Sequence, residues 1–138
     1  MIAHAEWQHD DVFHGIAENG NRLVFDASDA HAEGPSPMEA ILMALCSCTS
    51  VDVVSILKKK RQSLTGLRVT ASAERAETAP RVFTRIHLTY AVSGEHLSRK
   101  AVEDAVALSK NKYCSVSRML EKAAPVDYEI VYLNGEPE

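Results

Sequence analysis

The sequence predicts a single α+β domain in which short strands, one long helix and shorter helices follow one another along the chain. The 138 residues suit one ordinary domain with one core. Two regions alternate polar and apolar residues as strands do, and a long apolar helical segment lies between them. No internal repeat or interdomain linker divides the chain, so we expect one domain over residues 1–138.

The first 25 residues are predicted to form an antiparallel meander. Alternating side chains predict strands at residues 2–7, 12–16 and 22–25. Asn19-Gly20 lies between the second and third of these strands, and both residue types accept the positive φ of a tight turn. We therefore expect a two-residue hairpin turn at this position.

A long helix is predicted from Pro37 to about Arg61. Ser36 supplies a capping hydroxyl, Pro37 suits the first helical position, and Glu39 can return a hydrogen bond to the cap. The basic residues 58–61 suit the negative end of the helix dipole. Apolar side chains cover nearly the whole circumference of this helix, so it must be covered on all sides. Because so short a chain supplies little cover of its own, we predict a homodimer.

After the long helix, polar and apolar side chains alternate again as in strands, and later apolar side chains recur with the period of a helix. The remaining elements are predicted as strands at 67–73 and 82–92, a helix at 98–110, an interruption at 111–113, a short helix that begins at Cys114, and a strand at 126–133.

Composition and charge exclude several classes of function. The net charge is −4 and the basic residues are not gathered on a predicted nucleic-acid-reading element, so we expect no nucleic-acid partner. The N-terminus has no basic segment followed by an apolar run, so we expect a cytoplasmic protein. Glu39 and Asp52 interrupt the longest apolar stretch, so we expect a core helix and no membrane span.

The sequence also gives no support for a metal or a nucleotide cofactor. His4, His9 and His14 recur every fifth residue in predicted strands and turns, where that spacing alternates faces, and no C-x2-C motif accompanies them. There is no P-loop, no G-x-G-x-x-G and no G-x-S-x-G hydrolase motif. We expect neither metal nor cofactor.

Cys46 and Cys48 lie about 200° apart around the predicted helix, so they cannot easily serve one site together. Cys48 shares its side with Thr49, Asp52 and Ser55, whose polar groups require a cleft, water or a polar contact. Cys46 has apolar neighbours and is interpreted as a core thiol. An ordinary packing role remains an alternative for Cys48.

Cys114 follows Lys110, Asn111 and Lys112 and begins the short helix. Backbone N–H groups at a helix start and nearby cations favour thiolate, so we expect the pKa of Cys114 to be lowered. The alternative is an ordinary residue at the start of a helix.

Two separated motifs resemble the OsmC/Ohr family. They are residues 34–42 leading into 48–54, which read GPSPMEAIL and CTSVDVV, and residues 113–117, which read YCSVS. The order of predicted elements also matches the family over almost the full chain. The resemblance implies an OsmC-like fold in which antiparallel sheets wrap around long central helices in an intertwined homodimer, with two active sites at the interface.

The resemblance further implies cysteine-based reduction of organic hydroperoxides in oxidative-stress defence. The family's peroxidatic cysteine corresponds to Cys48 and its resolving cysteine to Cys114. In the implied cycle Cys48 thiolate attacks the distal hydroperoxide oxygen, releases alcohol and becomes sulfenic acid. Cys114 then condenses with it to a disulfide that an external thiol reduces. Cys46 has no role in this cycle.

The sequence departs from the better-characterised branches of the family at two positions. Their catalytic glutamate lies ten residues before the peroxidatic cysteine, where this chain has Met38; Glu39, one step further, is a candidate whose alternative is a cap. Their arginine from the N-terminal hairpins has only Arg22 or Arg118 as candidate counterparts. These departures leave open a binding protein for a small apolar ligand at the dimer cleft, or a structural protein whose cysteines only pack.

Overall fold

The computed structural model describes all 138 residues and confirms an α+β architecture. Its elements are β1 (Ala3–His9), β2 (Val12–Ala17), β3 (Arg22–Asp26), α1 (Pro37–Lys59), β4 (Ser63–Arg75), β5 (Phe83–Glu95), α2 (Arg99–Leu108), a π-helical turn (Ser109–Tyr113), α3 (Ser115–Leu120) and β6 (Val126–Tyr132). The chain forms two compact units, Met1–Leu42 and Met43–Glu138, and the boundary between them falls inside α1.

The N-terminal unit contains the predicted meander, in which β1, β2 and β3 pair antiparallel in that order. The predicted two-residue turn is wrong. Ala17 N–H donates to the Asn21 carbonyl at 2.8 Å and Gly20 N–H donates to the Ala17 carbonyl at 2.9 Å, so three residues make the turn. A two-residue type I′ turn needs positive φ at both central residues, and here only Gly20 has it, at 92°.

The start of α1 is the capping box that the sequence predicts. Glu39 N–H donates to Ser36 Oγ at 3.1 Å, and Ser36 N–H donates to Glu39 Oε1 at 3.0 Å. Two backbone donors that no helical carbonyl can reach are satisfied in this way.

The other end of α1 is closed without the glycine that commonly follows a helix. Gln62 N–H donates to the Leu57 carbonyl and Arg61 N–H to the Lys58 carbonyl, which is the Schellman arrangement. Arg61 takes the left-handed position with a φ of 56°. Gly66 lies instead within β4, next to a shift in the β4–β5 register.

The C-terminal unit is built on a sheet with the order β4-β5-β6. β4 and β5 pair antiparallel, as predicted, whereas β6 pairs parallel to β5, so the expectation of purely antiparallel sheets is wrong. α2, the π-helical turn and α3 lie between β5 and β6 in the chain. A crossover of this length returns the chain in the same direction, which parallel pairing requires.

The core of this unit is formed by buried side chains from one face each of α1, β5 and α2. Its members are Leu45, Thr49, Val53 and Leu57 of α1, Ile86, Leu88, Tyr90 and Val92 of β5, and Ala101, Val102, Ala105 and Val106 of α2. The spacing is four residues on α1 and two on β5, as helix and strand geometry dictates. Thr49 and Tyr90 bring hydroxyl groups into this core.

Large apolar side chains of α1 in this unit are left uncovered within one chain. Met43 is 57% and Val51 69% exposed. By length and composition alone α1 could cross a membrane, since an 18-residue window has a mean hydropathy of 2.0 with 22% of the window buried. The predicted cover on all sides is therefore not supplied by a single chain.

Candidate functional site

The connection from α2 to α3 places Cys114. α2 gives way to the wider π-helical turn, an irregularity found frequently at functional sites. Cys114 then adopts an extended backbone, and its N–H donates to the Ser109 carbonyl at 2.8 Å. Its sulfur caps α3 by accepting the Ser117 N–H at 3.4 Å. The side chain of Cys114 is completely buried as a result.

The structure brings Cys48 and Cys114 together from opposite parts of the C-terminal unit. The Cys48 thiol, on α1, is a near neighbour of the Cys114 thiol and raises its pKa. Cys48 is half-buried and both residues are free thiols. Two of the three predicted site residues therefore form a pair, in the reduced state.

The expectation of a lowered Cys114 pKa is wrong. Burial raises the pKa of Cys114 to about 12, and the neighbouring Cys48 and Asp52 act in the same direction. The one backbone N–H that the sulfur accepts, from Ser117, opposes this shift without cancelling it. The expected cations are also engaged elsewhere: the Lys110 ammonium lies 3.9 Å from a Glu121 carboxylate oxygen, and that of Lys112 lies over the Tyr113 ring.

A chain of hydrogen bonds runs through the core beside the cysteine pair. Thr49 Oγ1 lies 2.7 Å from Tyr90 OH and 2.7 Å from Ser109 Oγ. Ser109 Oγ donates to Asp52 Oδ2 at 2.8 Å. The polar partners expected on the Cys48 side of α1 are confirmed for Thr49 and Asp52, whereas Ser55 is exposed.

Sequence reasoning missed Tyr90 and Ser109. Tyr90 follows the alternation of buried β5 residues, and its hydroxyl is a polar group on an otherwise apolar face. Ser109 extends the buried line of α2, four residues after Ala105 and three after Val106. A buried hydroxyl at such a position needs a hydrogen-bond partner, and this requirement could have identified both residues from the sequence.

Cys46 has the environment of a packing thiol. It is half-buried, and burial raises its pKa. The Ala71 backbone of β4 supplies an opposing hydrogen bond. This agrees with its interpretation as a core residue.

The third predicted site residue, Glu39, lies in the N-terminal unit and is engaged in the capping box. The Ser36 backbone, and then its hydroxyl, lower the pKa of Glu39 by hydrogen bonding to the carboxylate. Of the two arginine candidates, Arg118 pairs with Glu121 and Arg22 is an exposed residue of β3. No group of three His, Cys, Asp or Glu side chains could hold a metal ion.

Comparison with known proteins gives a consistent family assignment. Residues 30–129 match a family model described as OsmC-like protein. Over 133 residues the chain is 44% identical to Protein YhfA of Escherichia coli strain K12, which covers 95% of this chain and 98% of that protein.

Solved structures match the whole fold. An OsmC-like protein from Mycoplasma pneumoniae superposes with a TM-score of 0.82 at 14% identity, covering 95% of each chain. The organic hydroperoxide resistance protein OhrB of Bacillus subtilis superposes with a TM-score of 0.63 at 18% identity, covering 94% of this chain and 98% of that one. At these identities the two structures show a shared fold.

Proposed function

This chain belongs to the OsmC-like protein family, and on that premise we propose that it reduces organic hydroperoxides with a pair of cysteines. The observation that carries the proposal is the proximity of the Cys48 and Cys114 thiols. Cys48 is the peroxidatic residue and Cys114 the resolving residue. An organic hydroperoxide resistance protein among the structural neighbours supports the same chemistry.

The first step breaks the oxygen–oxygen bond of the hydroperoxide. Cys48 thiolate attacks the distal oxygen, a sulfur–oxygen bond forms, and the alkoxide leaves and takes up a proton to become alcohol. Cys48 is better placed than Cys114 for this step because it is half-buried, whereas Cys114 is completely buried and strongly favours the protonated thiol. The substrate therefore meets Cys48 first.

The second step forms the disulfide. The Cys114 sulfur attacks the sulfenic sulfur of Cys48, the sulfur–oxygen bond breaks, and the hydroxide leaves with the Cys114 proton as water. Two molecules of an external thiol then reduce the disulfide and are themselves joined as a disulfide. Both reduced thiols are required for each turnover, which is consistent with action in the reducing cytoplasm.

The proposal includes a homodimer. The exposed apolar residues of α1, including Met43 and Val51, need cover that one chain does not provide. A second copy of the chain can cover these residues without any further element in the chain itself. Light scattering of the purified protein should give twice the 15.1 kDa chain mass, and a monomeric mass would contradict this part of the proposal.

A second candidate function is ligand binding with little turnover. Two observations favour it: the Glu39 carboxylate is not free for catalysis, and an open groove runs along α1. The Glu39 carboxylate is engaged in the cap, and Met38 occupies the position of the family's glutamate. An open groove of about 680 Å³ runs along α1, and neither Cys48 nor Cys114 lines it. Its lining comprises Ser50, Val51, Val54, Ser55, Lys58 and Lys59. A small apolar molecule with an acidic group suits this groove.

Hydroperoxide consumption separates the two functions. With tert-butyl hydroperoxide as substrate and dithiothreitol as reductant, the wild-type protein should turn over, Cys48→Ser should be inactive, and the matched control Cys46→Ser should retain activity. Equal consumption by Cys48→Ser and the wild type would contradict the peroxidase assignment. No consumption by the wild type would favour ligand binding.

A further inference from the structure

The hydrogen bonds beside the cysteine pair have a fixed direction. As a carboxylate, Asp52 can only accept, and Ser109 Oγ donates to it at 2.8 Å, a shorter hydrogen bond than the 3.3 Å to the other acceptor of this proton, the Thr49 carbonyl. Ser109 Oγ must then accept from Thr49, and Thr49 Oγ1 must accept from Tyr90. The chain runs from Tyr90 through Thr49 and Ser109 to Asp52, and the three hydroxyl-bearing residues are completely buried.

Ser109 is the point at which this chain meets Cys114. Its hydroxyl is held by Thr49 and Asp52, both on α1, while its carbonyl accepts the Cys114 N–H at 2.8 Å. Ser109 is also the first residue of the π-helical turn that leads to Cys114. A displacement of Ser109 would therefore move the Cys114 backbone with it.

Asp52 lies on the same helix as Cys48, the other cysteine of the pair. It lies four residues after Cys48 on α1, so the two side chains are neighbours on one face. It bonds the residue that holds Cys114, and its charge also raises the pKa of the Cys114 thiol. Asp52 thus connects the helix of one sulfur to the backbone of the other.

We propose that Asp52 is a positioning residue for disulfide formation, which through Ser109 holds Cys114 against Cys48. This inference rests on the proposed use of the two thiols. In the step concerned a sulfur–sulfur bond forms, the sulfur–oxygen bond of Cys48 sulfenic acid breaks, and the Cys114 proton leaves with the hydroxide as water. Formation of the sulfenic acid does not involve Cys114, so the positioning role of Asp52 does not enter that step.

The test is a single turnover of the full-length reduced protein with one equivalent of tert-butyl hydroperoxide. Sulfenic acid is measured by trapping with dimedone, and the disulfide by mass spectrometry of quenched samples. Asp52→Ala should slow disulfide formation about tenfold or more, because small misplacements of reacting groups cost that much. Sulfenic acid formation should stay within about twofold of the wild type, since positioning of Cys114 does not enter that step.

Two further variants distinguish positioning from general damage to the core. Asp52→Asn should restore most of the disulfide rate, because the amide oxygen can still accept the Ser109 hydroxyl. The matched control Ser47→Ala should equal the wild type, since Ser47 is exposed on the same helix and bonds only the Ala44 carbonyl. If Asp52→Ala does not fold, Ser109→Ala carries the same expectation, because it removes the hydroxyl and keeps the carbonyl.

A wild-type disulfide rate in Asp52→Ala would overturn the inference, and so would an Asp52→Asn variant as slow as Asp52→Ala. Repeating the series with diamide, which joins two thiols and is itself reduced to a hydrazine, separates this inference from the proposed function. A wild type that leaves hydroperoxide unconsumed contradicts the peroxidase. Slow diamide-driven disulfide formation in Asp52→Ala would still support the positioning role.

Discussion

The Thr49 hydroxyl lies 2.7 Å from the Tyr90 hydroxyl, and both side chains are completely buried. Burying a hydroxyl without a partner is costly, so the Tyr90 hydroxyl depends on Thr49, whose own hydroxyl also bonds Ser109. Tyr90 has its pKa raised to about 12, chiefly by burial, so its phenol remains a proton donor throughout the neutral range.

A double-mutant cycle should detect this dependence. Thr49→Val leaves the Tyr90 donor without an acceptor and the Ser109 oxygen without a donor, at a cost of about 1–3 kcal/mol in the free energy of unfolding. Tyr90→Phe in the Thr49→Val background should cost less than in the wild type, because its partner is already gone. Urea unfolding of the four proteins measures both values. Strictly additive costs would show that the two hydroxyls do not interact.

The raised pKa of Cys114 predicts a loss of stability in alkali. The folded-state value of about 12 exceeds the ordinary 9.0, so the folded protein holds this proton more tightly than the unfolded chain does. The resulting stabilisation is fully present below pH 9 and is lost as the pH rises towards 12. Between pH 9 and pH 12 the free energy of unfolding of the wild type should therefore fall, relative to that of Cys114→Ser, by roughly 1 kcal/mol per pH unit.

Urea unfolding between pH 8 and pH 11 measures this difference. Serine keeps a capping oxygen at the start of α3, so Cys114→Ser should remain folded. Ser47→Ala is the control, because it removes an exposed hydroxyl of α1 and no titrating thiol. Parallel curves for the wild type and Cys114→Ser would contradict the assignment of a tightly held proton to Cys114.

The capping box predicts how Glu39 contributes to stability. Hydrogen bonds from Ser36 lower the pKa of Glu39 below its ordinary 4.5. The contribution of the ionised carboxylate is therefore present above that value and lost as the pH falls through the folded-state pKa. At pH 7 Glu39→Ala should lower the melting temperature more than Glu39→Gln, because glutamine still accepts the Ser36 N–H. A Glu39→Ala variant as stable as the wild type would show that the cap contributes nothing.

The end of α1 predicts a stabilising substitution. Arg61 occupies the left-handed position of the Schellman arrangement with a φ of 56°, a conformation that glycine adopts without steric cost. Arg61→Gly should raise the free energy of unfolding by about 1 kcal/mol. Thermal unfolding checks this, with Lys60→Gly as a matched control in which no such gain is expected. A less stable Arg61→Gly protein would contradict the geometry.

Local signals in the sequence were sufficient for the elements. Ser36 and Glu39 mark the start of α1 because a capping box is a contact between near neighbours in the chain. Asn19-Gly20 marks a hairpin for the same reason, although turn length depends on how many residues take positive φ. Local signals could not predict that β6 runs parallel to β5, because this pairing is a contact between segments that are distant in the sequence.

The sequence predicts Cys48 and Cys114 as candidate site residues, with Thr49 and Asp52 beside Cys48, but it does not point to Tyr90 or Ser109. Cys48 and Cys114 were found through motifs, whereas Tyr90 and Ser109 join Thr49 only through long-range packing. The pKa of Cys114 was predicted in the wrong direction because helix position and nearby lysines are visible in the sequence, while complete burial is a property of the folded chain.

The proximity of the Cys48 and Cys114 thiols is the central claim, and the most direct test is to join the two sulfurs in a disulfide. Fully reduced protein is treated with one equivalent of an organic hydroperoxide, digested without reduction, and analysed by mass spectrometry. We predict a single new crosslinked species that joins the Cys48 and Cys114 peptides, with Cys46 still free and the hydroperoxide consumed. Three free thiols with the hydroperoxide unconsumed would contradict the account.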